Sequence, residues 1–145
     1  MERDAACGEP RLHLGQPLAR LDNPGQGKGS AVAVAVSPDG QSLYTASNQS
    51  VIKWKRNGER IKEFRVTENI VSTMVLSPDG SRIATASLFN AKVPAQKQGG
   101  EEPHTVILDS DGKQVARFKS HGTNSLQFSA DSQWLVSGGT DDNRV

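Results

Sequence analysis

Two aspartates, Asp39 and Asp79, stand in the same setting, Ser-Pro-Asp-Gly, and carboxylates recurring at a fixed spacing could do general acid–base work. The setting argues for a turn instead. Pro38 and Pro78 preset φ for the second position of a type I turn, Ser37 and Ser77 can accept hydrogen bonds from the turn's amides, and Gly40 and Gly80 can take the left-handed conformation of a bulge. His13, His104 and His121 are isolated, with no His or Glu at metal-ligand spacing, and no metal or other cofactor is expected. Ser37, Ser77 and Ser129 lack a Gly-x-Ser-x-Gly elbow, so no catalytic residue is expected either. The glycine-rich Asn23–Ser30, NPGQGKGS, lacks the spacing of a Walker loop and leads into a strand, where a phosphate would want a helix N-terminus.

With 17 basic and 16 acidic residues the chain has a formal charge of +1 and no global field to draw in nucleic acid or an anionic membrane. Lys and Arg are interspersed with acids and aromatics are few, which leaves nucleic-acid binding unsupported. Cys7 is the only cysteine, so an internal disulfide framework and a Cys-based zinc site are excluded. The first residues, MERDAACGEPRLHLGQP, lack the unbroken apolar stretch of a signal peptide, and no later run is long enough to span a bilayer. A soluble, cytoplasmic chain is expected.

What must position the turns is legible from repetition. SPDGQSLYTAS from Ser37 returns as SPDGSRIATAS from Ser77 and, altered, as SADSQWLVSGG from Ser129. Upstream, GQPLARL, GERIKEF and GKQVARF align on Gly15, Gly58 and Gly112. Each leads to an apolar strand, AVAVAVS, IVSTMVLS or NSLQFSA, and then to the turn. In the third copy Ala130 and Ser132 replace Pro and Gly, which predicts a looser turn of the same topology. A further strand follows in VIKWKRN and in TVILDSD. The units run about 15–57, 58–111 and 112–145, after an N-terminal segment 1–14 that would close a preceding strand. With no sustained helical periodicity, the fold class is all-β.

Ala-Val alternation over 31–36 makes both faces of that strand apolar, which calls for cover on both sides, closely on the alanine side. Antiparallel four-stranded units of about 40 residues stacked face to face describe a β-propeller. A β-sandwich is the alternative, but it would not need the same turn at the same place in every unit.

Over Gly15 to Val145 the sequence resembles the WD-repeat β-propeller family: in period, in SPDG between the second and third strands of the unit, and in Trp54 near the end of VIKWK. Lys55 stands where the family's eponymous Asp would be. The resemblance implies a hydrogen-bonded set of His, Ser or Thr, Asp and Trp. The third unit offers His121, Ser137 and Asp141 or Asp142 for it, and the first offers Ser47, Asn48 and Trp54. The implied structural positions are Ser37, Asp39, Gly40, Trp54, Ser77, Asp79, Gly80, His121, Ser137 and Asp141. TolB-like propellers are a near alternative, since they also repeat SPDG and end strands much as VILDSDGKQ does.

About three blades fall short of the roughly four to eight that close a ring. The expectation is an incomplete ring: a fragment of a longer propeller, or one completed by other chains. A second departure lies at 88–103, an insertion where Ser87 and Val106 are far apart although Asn48–Ser50 makes the same link in the first unit. It would leave from the face that carries the loop between each unit's first strand and its apolar strand, where partners commonly dock in this family, with Leu88, Phe89, Lys92 and Lys97 as contacts. The implied function is a non-enzymatic protein–protein interaction scaffold with protein partners and no nucleic acid or membrane. The alternative is an accessory TolB-like propeller of a larger enzyme such as a peptidase or kinase.

Overall fold

A computed structural model describes residues 21, 31–67, 69–88, 103–120 and 122–139. Every regular element among them is a strand. β1 (Ala33–Val36), β2 (Ser42–Ser47), β3 (Ser50–Lys55) and β4 (Arg60–Arg65) form one antiparallel sheet in chain order. β5 (Ile70–Leu76), β6 (Arg82–Leu88), β7 (His104–Asp109) and β8 (Gln114–Lys119) form a second, and β9 (Thr123–Phe128) with β10 (Leu135–Gly139) a third of two strands.

The sheets are out of phase with the sequence units by one strand. β4 and β8 follow Gly58 and Gly112, which open units two and three, yet they pair with β3 and β7 of the preceding sheet. Local geometry enforces this. Gly58 and Gly112 have φ of 87° and 84°. Each donates its N–H back across a tight reversal, Gly58 to Lys55 O and Gly112 to Asp109 O, and a reversal that short leaves only the adjacent strand as partner.

The first two sheets meet face to face over an apolar layer. Tyr44, Ala46, Val51 and Phe64, with Ala33 and Ala35, pack against Val71, Met74, Ile83, Val106, Leu108 and Leu76. A smaller layer joins the second sheet to the third: Ala84, Ala86, Val75 and Ile107 against Leu126, Phe128 and Leu135. Small residues on one sheet let the larger ones opposite approach closely, which is what the alanines of the repeat supply. The expectation that β1 is covered on both faces is met on the alanine side only, since Val34 and Val36 are exposed.

Candidate interaction surface

The Ser-Pro-Asp-Gly stretches form the frame. In the first, the Gly40 N–H donates to Ser37 O at 2.8 Å, the Ser37 N–H to Ser42 O, and the Ser42 N–H to Ser37 Oγ at 2.8 Å. The Ser37 hydroxyl donates to the Asp39 carboxylate, which also accepts the Gln41 N–H at 3.0 Å. Ser77, Asp79 and Gly80 repeat this set. Gly40 and Gly80 have φ of 68° and 72°, where a Cβ would be strained.

The third turn is not looser. Ser129, Asp131 and Ser132 make the same hydrogen bonds, with Ser132 forced to φ 60° where the other turns have glycine. The serine–carboxylate–amide hydrogen bonds are the same as in the other two turns, so the geometry is kept without Pro or Gly. It also explains the carboxylates' acidity. The Ser77 hydroxyl, followed by the amide and hydroxyl of Ser81, lowers Asp79 to about 2. Asp39 and Asp131 are lowered for the same reason, first by Ser37 and Ser129. A carboxylate held ionised by its own turn is a poor general acid.

These turns stack along one rim. A Cβ on Gly80 would lie 3.0 Å from Pro38 Cδ, and the Asp79 N–H donates to Ser132 Oγ at 3.2 Å. Strand alternation puts the β3–β4 and β7–β8 reversals on that same rim, where the second locks the two sheets together. Lys62 Nζ donates to Asp111 O at 2.9 Å and sits 5.4 Å from the Phe64 ring centre, while Phe64 covers Gly112. Lys53 reaches Ser110 O at 3.5 Å and lies over Tyr44. Nothing in the sequence marked Lys53, Lys62 or Phe64 as partners of the 109–112 turn, because they are some 50 residues away.

Trp54 is buried, and its indole N–H donates to Thr45 Oγ1 at 2.9 Å. The hydroxyl is thus Thr45 and not Ser47, because β2 and β3 pair Thr45 beside the indole's row while Ser47 lies at the turn, opposite Ser50. Ser137 occupies the register position of Thr45 in the third copy, as Thr85 does in the second. Leu108 replaces the tryptophan there, and the Thr85 hydroxyl points to Val106 O. His121 and Asp141 lie outside the described residues.

The opposite rim carries the links between sheets and the β2–β3 and β6–β7 connections. Asn48, at φ 48°, and Gln49 make the first of these, with Asn48 O accepting the Val71 N–H of the next sheet at 2.6 Å. The second leaves from Leu88 and returns at Pro103. Leu88 ends β6 opposite Ile70 and is half-buried, so it belongs to the sheet more than to the insertion. Pro103 is buried and its carbonyl accepts the Ser120 N–H at 3.1 Å. Phe89, Lys92 and Lys97 lie outside the described residues.

Successive antiparallel four-stranded sheets, packed face to face with tight turns on one rim, define the chain as β-propeller blades. The WD domain, G-beta repeat family model matches residues 15–55 and 112–145, just over half of the sequence, and the chain belongs to that family. A solved structure described as the crystal structure of RRP9 WD40 repeats is similar, with a TM-score of 0.61 and 19% identity. The similarity covers 77% of this chain and 33% of that one, so this chain spans about a third of its length. No curated protein matches. The feature that suggested TolB-like propellers, VILDSDGKQ, has a local cause here: the Asp109 carboxylate accepts the N–H groups of Asp111 and Lys113, each at 2.9 Å, and so caps its own turn.

Proposed function

We propose that this WD-repeat segment is a non-enzymatic scaffold for protein partners, docking them on the rim that carries the β2–β3 and β6–β7 connections. Family membership supports a protein-interaction propeller in general terms. The observation that carries the choice of rim is the contrast between its two strand connections. Asn48 and Gln49 suffice to join β2 to β3, whereas residues 89–102 intervene between Leu88 and Pro103 at the equivalent place. The insertion is polar after an apolar start and rises from a sheet fixed by packing and turns, the arrangement in which loops carry recognition. Phe89, Lys92 and Lys97 are its contact residues, with Leu88 tethering its base. Further WD-type blades complete the ring around this segment.

The test is affinity capture with the full chain and with a variant deleted for 90–101, compared by quantitative mass spectrometry. Specific partners should be lost from the deletion and weakened by Phe89→Ala with Lys92→Ala. Retention of every partner by a folded deletion variant would reject this rim as the docking surface.

A further inference from the structure

The first and second sheets meet at one seam, the second and third at another, and three equivalent positions of the two seams differ together in character. Val51 pairs with Ala46 as Thr105 pairs with Ala86. Val66 and Ser120 stand equally far beyond Gly58 and Gly112, and Val71 and Thr123 equally far before Ser77 and Ser129. In the first seam Val51, Val66 and Val71 are buried in the apolar layer. In the second the same places hold hydroxyls, with Thr105, Ser120 and Thr123 only 0%, 6% and 3% exposed.

Register puts all three between the sheets. Thr105 lies beside Ala86, which packs against the third sheet, and beside Phe118, and strand alternation carries that face on to Ser120. Thr123 pairs with Gly139, on the face of β10 that Leu135 turns to the second sheet. Ser72 adds a fourth hydroxyl to this end of the seam, within reach of Ala86 O at 3.1 Å and Thr123 O at 2.8 Å. Thr105 Oγ1 and Ser120 Oγ are buried and have no hydrogen-bond partner among the described residues. A buried hydroxyl left in that state keeps the full cost of leaving water. Packing does not require these groups, since the first seam fits valine at each place.

What satisfies them must be small, because the groups that line the seam are buried. It must be neutral, because Ala86, Ile107, Phe118, Leu126 and Ser137, their neighbours on the two facing surfaces, carry no charge. It must also donate and accept, as hydroxyls do both. We infer that this end of the second seam is a water-binding site, with internal water hydrogen-bonded to Thr105 Oγ1 and Ser120 Oγ and Thr123 lining it. Internal water characteristically serves such otherwise unpaired groups. The second seam is thereby a wet joint where the first is dry. Its hydrogen bonds re-form with solvent when the sheets part, so the third sheet separates at lower cost than it would over valines. The site does not depend on the partner rim proposed above.

A crystal structure of the 145-residue chain, at a resolution that orders internal water, tests the site directly. Water density at hydrogen-bond distance from both Thr105 Oγ1 and Ser120 Oγ is expected, and hydroxyls that meet only protein atoms would overturn the inference. The triple variant Thr105→Val, Ser120→Val, Thr123→Val rebuilds the first seam's valines in the second and takes up the room of the water. Hydrogen exchange followed by mass spectrometry should show β9 and β10 exchanging several-fold more slowly in this variant, with β1 to β4 unchanged. Exchange in β9 and β10 that is unchanged or faster, or a variant that fails to fold, would overturn the wet joint.

Discussion

Gly112 is the position where one methyl group should do the most damage. It sits at φ 84° in the β7–β8 reversal, and a Cβ built there would lie 2.0 Å from Phe64 Cδ1 and 2.4 Å from Cε1. Phe64 is buried in the layer between the first two sheets and has Lys62 beside its ring, so it has no open space to swing into. Gly112→Ala therefore carries two costs. The left-handed conformation of a non-glycine residue costs about 1–2 kcal/mol, and overpacking a filled interior costs about 1–3 kcal/mol more. Gly40→Ala supplies the control, since its φ is 68° but nothing lies within 4 Å of its Cβ position. Urea unfolding followed by tryptophan fluorescence should give a loss of roughly 2–5 kcal/mol for Gly112→Ala and only about 1–2 kcal/mol for Gly40→Ala. In a Phe64→Ala background the excess should vanish, because the obstructing ring is gone. Equal losses for the two single variants, or an excess that survives removal of Phe64, would refute the reasoning.

Further outcomes follow from the same geometry. Ser132→Gly should leave stability within about 1 kcal/mol of the unsubstituted chain, because relief of the left-handed strain at φ 60° is offset by glycine's extra freedom in the unfolded chain and by loss of the Ser132 Oγ that accepts the Asp79 N–H; urea midpoints would show it. Thr45→Val and Trp54→Phe should each cost about 1–3 kcal/mol by orphaning a buried partner, while the double variant costs less than the sum, as a double-mutant cycle would measure. Asp79 is lowered from 3.8 to about 2 on folding, so its contribution is fully present above 3.8 and disappears as pH falls toward 2. Asp79→Asn should flatten that part of the acid-denaturation curve, whereas an unchanged slope would mean that the Ser77–Asp79 bond adds nothing to folding.

Much of the fold was legible because its signals are local. Each Ser-x-Asp turn closes through atoms within five positions of one another, as Ser37, Asp39 and Ser42 show, and strand alternation follows from the same few residues. Even so, local reading misjudged the third turn, since it weighed the missing Pro and Gly and not the serine and aspartate that remained. Ser47, offered as the hydroxyl of the set with Trp54, gives way to Thr45 for a related reason: register between β2 and β3 decides which hydroxyl meets the indole.

The sequence by itself determined that this protein is built of repeated antiparallel hairpins with small and large residues alternating along the inner strands. The tertiary structure alone decided which strand closes which sheet, that Phe64 and Lys62 grip the turn at Asp109–Gly112, and that Val34 and Val36 are exposed while Ile52 and Trp54 on the same face are buried. The physical reason is range. Turn chemistry and side-chain alternation act between neighbours in the chain, whereas packing one blade on another joins residues some 50 apart, whose meeting no local pattern encodes.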